Sequence, residues 1–192
     1  MLLGVVLLYV GVVLIVNGIW LIGQARAAAV AGGAVETHPF FIQNREVAIL
    51  NIFTGFIGVV AAVTLAVQGN QNEDIASIRA AGYILLFAFT YLWVAYNQYV
   101  NAGSHAFGWY CLFVAITAVP AGIFTFANAN GGSASIYLGF CWFAWAILWL
   151  LFWLLLSLER PIGRLTGSLA ILEGIGTAWV FGILLLEDVI AF

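Results

Sequence analysis

The chain has 192 residues, of which 65% are hydrophobic, 16% aromatic and only 7% charged, with a net charge of -3. A water-facing surface of this size needs roughly a quarter of its positions charged, so the solvent for most of this chain is lipid. With 5 arginines and no lysine there is no basic patch, which excludes nucleic acid as a partner.

A spanning helix needs about 20 apolar residues, because it rises about 1.5 Å per residue through about 30 Å of hydrocarbon. Six segments meet this requirement, at about 2–23, 47–67, 78–100, 107–127, 136–157 and 165–186. The chain is therefore predicted to be an all-α integral membrane protein, with residues 1–192 forming one six-helix transmembrane domain. The first run has no positively charged n-region and is of span length, so it reads as a helix and not as a signal peptide. The breaks between runs hold nearly every charge, proline and Gly/Asn cluster. Arg26 and Arg45 flank the first connection and Arg160 and Arg164 the last, while Arg79 alone marks the second. Because positive residues near short loops stay in the cytoplasm, both termini are expected outside and the long 24–46 connection inside.

Laid over one another, the odd-numbered helices align Leu14, Leu92 and Leu148 at their centres, and the even-numbered ones align Asn51, Thr117 and Glu173. This predicts a helical hairpin used three times around a central solute pathway. Helix two carries Asn51, one of three polar residues expected a turn or two inside the cytoplasmic end. Helix three carries Phe87 and Tyr91 one turn apart, and helix four carries Thr117 and a kinking Pro120. In helix five Trp142, Trp145, Trp149 and Trp153 recur at spacings of three and four, which puts them on one stripe. Interface tryptophans belong at helix ends, whereas this stripe runs through the middle of a span; it reads as a lined pathway or as a packing face. In helix six Glu173 is the one acidic residue deep in a span, and a charge there costs at least a few kcal/mol unless it faces the bundle interior or water. Asn51, Thr117 and Glu173 read either as a polar vestibule or as interhelical hydrogen bonds, and Asn17 and Asn97 equally as packing or solute contacts.

Cys111 and Cys141 lie in apolar stretches without metal-ligand spacing and read as buried small hydrophobes, and His38 and His105 as solvated loop residues. There is no nucleophile–base pair, phosphate loop or redox motif, so neither enzymatic activity, a cofactor nor a metal is expected.

The blocks Leu7-Leu8-Tyr9-Val10-Gly11 with Asn17, Leu85-Leu86-Phe87-Ala88-Phe89-Thr90-Tyr91-Leu92 with Asn97, Trp109-Tyr110-Cys111-Leu112-Phe113-Val114-Ala115-Ile116 with Val119-Pro120, the helix-five tryptophans, and Ile171-Leu172-Glu173-Gly174 with Thr177-Ala178-Trp179 stand in this order along the chain. Together they resemble the AmiS/UreI family of urea and amide channels. The resemblance covers nearly the whole chain in order. It implies a six-helix protomer with its own pathway, a hexameric ring in the bacterial inner membrane, and passive passage of urea or short aliphatic amides toward a cytoplasmic urease or amidase. The pathway lining it implies is Leu7, Leu14, Phe87, Tyr91, Trp142, Trp145, Leu148 and Trp149, with Glu173 toward the cytoplasm. The acid-gated branch of the family has histidines in its outer loops; the segments 68–77 and 128–135 have none, so acid gating is not expected. The block from Phe87 to Gln98 looks closer to the amide-transport branch.

A planar, neutral amide loses several kcal/mol of hydration in hydrocarbon unless hydrogen bonds are replaced. A flat slot between tryptophan faces, with sparse polar groups at its ends, would admit such a solute and exclude a hydrated ion. Two other readings stay open: a proton-coupled amide transporter in which Glu173 cycles its charge, and a non-transporting membrane scaffold whose aromatic stripes pack helices.

Overall fold

The computed structural model describes residues 2–29 and 41–192. Among the described residues, six helical spans are long and apolar enough to cross a membrane: α1 (Leu2–Ala29), α2 (Asn44–Gln71), α3 (Ile75–Val100), α4 (His105–Ala127), α5 (Ser133–Leu156) and a sixth over Gly163–Leu186. The sixth is α6 (Gly163–Glu173), a π-helical segment (Gly174–Val180) and α7 (Phe181–Leu186). The protein is a multi-pass membrane protein. Phe56, Phe140 and Leu172 are 65%, 66% and 66% exposed on the outer surface, which water would not tolerate over so many neighbours but lipid or an adjoining subunit would.

Several helices outrun the expected spans, for local reasons. Beyond Gly23, α1 continues through Gln24-Ala-Arg-Ala-Ala-Ala, all strong helix formers that add length without adding hydrophobicity. The start of α2 is set by the reach of Glu46 back to the backbone N–H of Gln43, at 2.9 Å. Asp74 caps α3 by accepting from the backbone N–H of Ala76 at 2.9 Å and the hydroxyl of Ser77 at 2.6 Å. The middle of the 24–46 connection, including His38, lies outside the described residues. Pro120 sits inside an α4 that runs unbroken.

The spans close into a ring in chain order, each packing on its neighbours and the sixth returning to α1. The tightest pairs are α2 with α3, α4 with α5, and the sixth span with α1. The intimate contacts therefore join the second helix of one sequence hairpin to the first of the next, and each hairpin's own two helices are more loosely packed. Small residues explain the closeness. On α1, Gly4, Gly11 and Gly18 recur every seventh residue; facing them are Gly167, Gly174 and Gly182. A side chain on Gly18 would come within 2.5 Å of the carbonyl oxygen of Gly167, so the backbones approach as only glycine permits. The last glycine step on the sixth span is one residue longer than the others, and the π-helical segment that falls there takes up the extra residue.

Candidate functional site

One cavity of about 450 Å³ occupies the middle of the ring. Its walls come from the three odd-numbered helices: Leu7, Val10 and Leu14 on α1, Tyr83, Phe87 and Tyr91 on α3, and Trp142, Trp145, Leu148 and Trp149 on α5. The even-numbered helices add only Leu65 and Thr125. At one end it reaches the surface between Leu2, Ala76, Arg79 and Phe192, on the side bearing the N-terminus. From Leu2 to Leu14 along α1 it extends about 18 Å, at about 1.5 Å per residue. The innermost lining residues are Leu14, Tyr91, Leu148 and Trp149, all buried.

The structure thus brings Leu7, Leu14, Phe87, Tyr91, Trp142, Trp145, Leu148 and Trp149 together around one space. Phe87 is the hub. Its ring lies 5.6 Å from Trp142, 5.2 Å from Trp145 and 5.9 Å from Trp149, at interplanar angles of 40°, 69° and 46°. Trp142 and Trp145 meet at 5.3 Å and 81°, and Tyr83 meets Trp142 at 5.0 Å and 66°. These tilted and edge-on geometries are what ring quadrupoles favour over parallel faces. The expected flat slot between tryptophan faces is accordingly corrected: the wall is a faceted aromatic surface of edges and faces. The stripe also ends sooner than its spacing predicts. Trp153 does not line the cavity; it packs on Trp109 at 5.7 Å, with its indole N–H buried and unpartnered.

The polar trio is not assembled. Asn51 is fully buried and bonds to Asn17: each amide donates to the other's oxygen, at 3.0 and 2.7 Å, and Asn51 also donates to the Val47 carbonyl at 2.8 Å. Thr117 donates within its own helix to the Phe113 carbonyl at 2.8 Å, and α4 does not pack on the sixth span. Asn51 and Thr117 therefore do not share a vestibule with Glu173; the positions that the expected repeat aligns on the even helices point into different interfaces. Asn97 closes the α3–α4 turn by donating to the Gly103 carbonyl and the Ser104 hydroxyl, both at 3.4 Å.

Glu173 is 5% exposed and ends α6 at the depth of the cavity's inner end, where a side chain on the adjacent Gly174 would come within 2.9 Å of Leu14 Cβ. It does not line the cavity, and its Oε2 is buried without a partner. In the sequence Thr177 appears only within a block that carries the family resemblance, with no role assigned to it. Its hydroxyl accepts the indole N–H of Trp145 at 2.8 Å and donates to the carbonyl of Glu173 at 2.7 Å. The π-helical backbone around it offers two further acceptors to α5: Tyr137 donates to the Gly176 carbonyl at 2.6 Å, and the Cys141 thiol to the Thr177 carbonyl at 3.6 Å. Among the described residues no cluster of His, Cys, Asp or Glu has the makings of a metal site.

A family model described as AmiS/UreI family transporter matches residues 40–189. The acid-activated urea channel of Helicobacter pylori strain J99 is 33% identical over 93% of this chain and 94% of its own length. A provisionally named amidate substrates transporter of Mycolicibacterium smegmatis is 36% identical over 92% of this chain and 73% of its own length. Among solved structures, the crystal structure of the Helicobacter pylori urea channel superposes with a TM-score of 0.79 at 32% identity, covering 98% of both chains.

Proposed function

Because the chain belongs to the AmiS/UreI family of transporters, we propose that it is a passive channel for urea and short aliphatic amides. The protein is a membrane transport protein and not an enzyme. The observation that carries the finer reading is the cavity: an aromatic and aliphatic space that reaches the surface on one side, with no carboxylate side chain among the described residues of its wall. Moving an amide into apolar surroundings without replacement hydrogen bonds costs about 2–7 kcal/mol, and a hydrated ion far more. Such a wall passes a small neutral amide and rejects ions, with phenols and the mouth groups supplying sparse hydrogen bonds.

In this reading each protomer carries its own pathway, protomers assemble as hexamers in a bacterial inner membrane, and both termini lie outside. The solute flows toward a cytoplasmic urease or amidase without acid activation. The runner-up is proton-coupled transport through Glu173, favoured by its buried, unpartnered Oε2 next to the inner end of the cavity. Uptake of urea and acetamide into proteoliposomes, with and without an imposed pH gradient, separates the readings. Flux that follows the solute gradient alone supports the channel. Flux that needs the pH gradient supports coupling, and no flux above empty vesicles returns the protein to a scaffold role.

A further inference from the structure

We propose that Thr177 is a positioning residue: it holds the Trp145 indole with its N–H turned away from the pathway, and thereby decides which amides pass. The inference rests on the channel reading and deepens it.

Trp145 lines the cavity, yet its single polar atom is engaged on the far side, donating to Thr177 Oγ at 2.8 Å. The Thr177 hydroxyl is itself fixed, because its proton goes to the Glu173 carbonyl at 2.7 Å. A hydroxyl used in both directions cannot rotate without losing a bond, so the acceptor offered to the indole has a set place. Two carbonyls of the same π-helical segment also accept from α5, Gly176 from Tyr137 and Thr177 from the Cys141 thiol. Tyr137, Cys141 and Trp145 are successive one-turn neighbours on α5, so three donors on one stripe seat on one shoulder of the sixth span.

With its N–H held this way, Trp145 presents ring carbons to the cavity and packs edge-on against Phe87 at 5.2 Å. That stretch of wall offers a solute no hydrogen bond. Without the Thr177 hydroxyl, the indole N–H is either stranded in a buried site or turned toward the lumen, and the second arrangement places a new donor where a solute carbonyl passes. The balance between urea, rich in N–H groups, and a longer monoamide such as propionamide then changes.

The test is uptake of urea and propionamide into proteoliposomes of wild type, Thr177→Val, Thr177→Ser and Trp145→Phe, beside ultraviolet resonance Raman of the indole N–H band. T177V should change the urea-to-propionamide ratio by at least threefold and weaken one tryptophan's hydrogen-bond signal. T177S should retain both. In a W145F background, T177V should add nothing, since Thr177 is argued to act through the indole; Thr177→Ala serves as the second lesion if T177V does not assemble. An unchanged ratio in T177V or T177A, or a T177S as altered as they are, overturns the proposal. Wild-type vesicles that pass neither solute sink the channel reading instead, while the Raman comparison still decides whether Thr177 holds Trp145.

Discussion

Asn17 and Asn51 form a closed pair of side-chain hydrogen bonds at 3.0 and 2.7 Å, linking α1 to α2 in the buried interior. A buried amide left without its partner costs about 1–3 kcal/mol, whereas removing both partners can be nearly neutral. Asn51→Leu should therefore lower thermal stability in detergent by an amount in that range, and Asn17→Leu/Asn51→Leu should recover part of it. A single variant as stable as the parent would show that the pair contributes nothing.

Trp145→Ala and Trp149→Ala each remove a ring that lines the cavity and meets Phe87 at 5.2 and 5.9 Å. Each lost aromatic pair is worth about 0.5–1.5 kcal/mol beyond burial, too little to prevent insertion. Discrimination between urea and a larger amide such as butyramide should relax severalfold in vesicle uptake. If both variants assemble and conduct with parental selectivity, the aromatic wall does not line the pathway.

Glu173→Gln preserves shape and hydrogen-bonding capacity and removes only the ability to titrate. A passive channel should keep most of its flux, with the same indifference to an imposed pH gradient. Complete loss of transport in a normally assembled variant would favour proton coupling.

Transport should vary less than about twofold when external pH is stepped from about 7.5 to about 5. The described connections on the cavity's open side hold Glu73, Asp74, Glu187 and Asp188 and no histidine, the usual switch in this range. Asp74 is held below the ordinary carboxylate range by the Ser77 hydroxyl and the Ala76 N–H. A depressed carboxylate stabilises the fold above its unfolded value and withdraws that support only as pH falls through the lower folded value, outside the tested window. Stopped-flow urea or acetamide uptake is the measurement; a severalfold rise at pH 5 would show an acid gate.

Gly18→Leu should separate α1 from the sixth span, because the added carbon meets the Gly167 carbonyl at 2.5 Å and backbone cannot yield as a side chain can. Loss of properly assembled protein in detergent is expected. Gly82→Ala, at a position with open space, is the control that should behave as the parent.

What the sequence by itself determined is everything that follows from the solvent. Twenty-residue apolar runs, charges confined to the breaks and a tryptophan stripe of helical period dictate six spans and identify which faces of the odd helices meet. Phe87, Trp145 and Trp149 were legible because side-chain direction on a regular helix follows from spacing alone. The tertiary structure decided whatever depends on which helices touch. Asn51 and Thr117 align in the expected sequence repeat but face different neighbours, so pattern alone could not separate an interhelical bond from a vestibule. Thr177 was out of reach for a further reason: its role comes from meeting the Trp145 indole across the interface of α5 with the sixth span, a pairing that no local periodicity encodes.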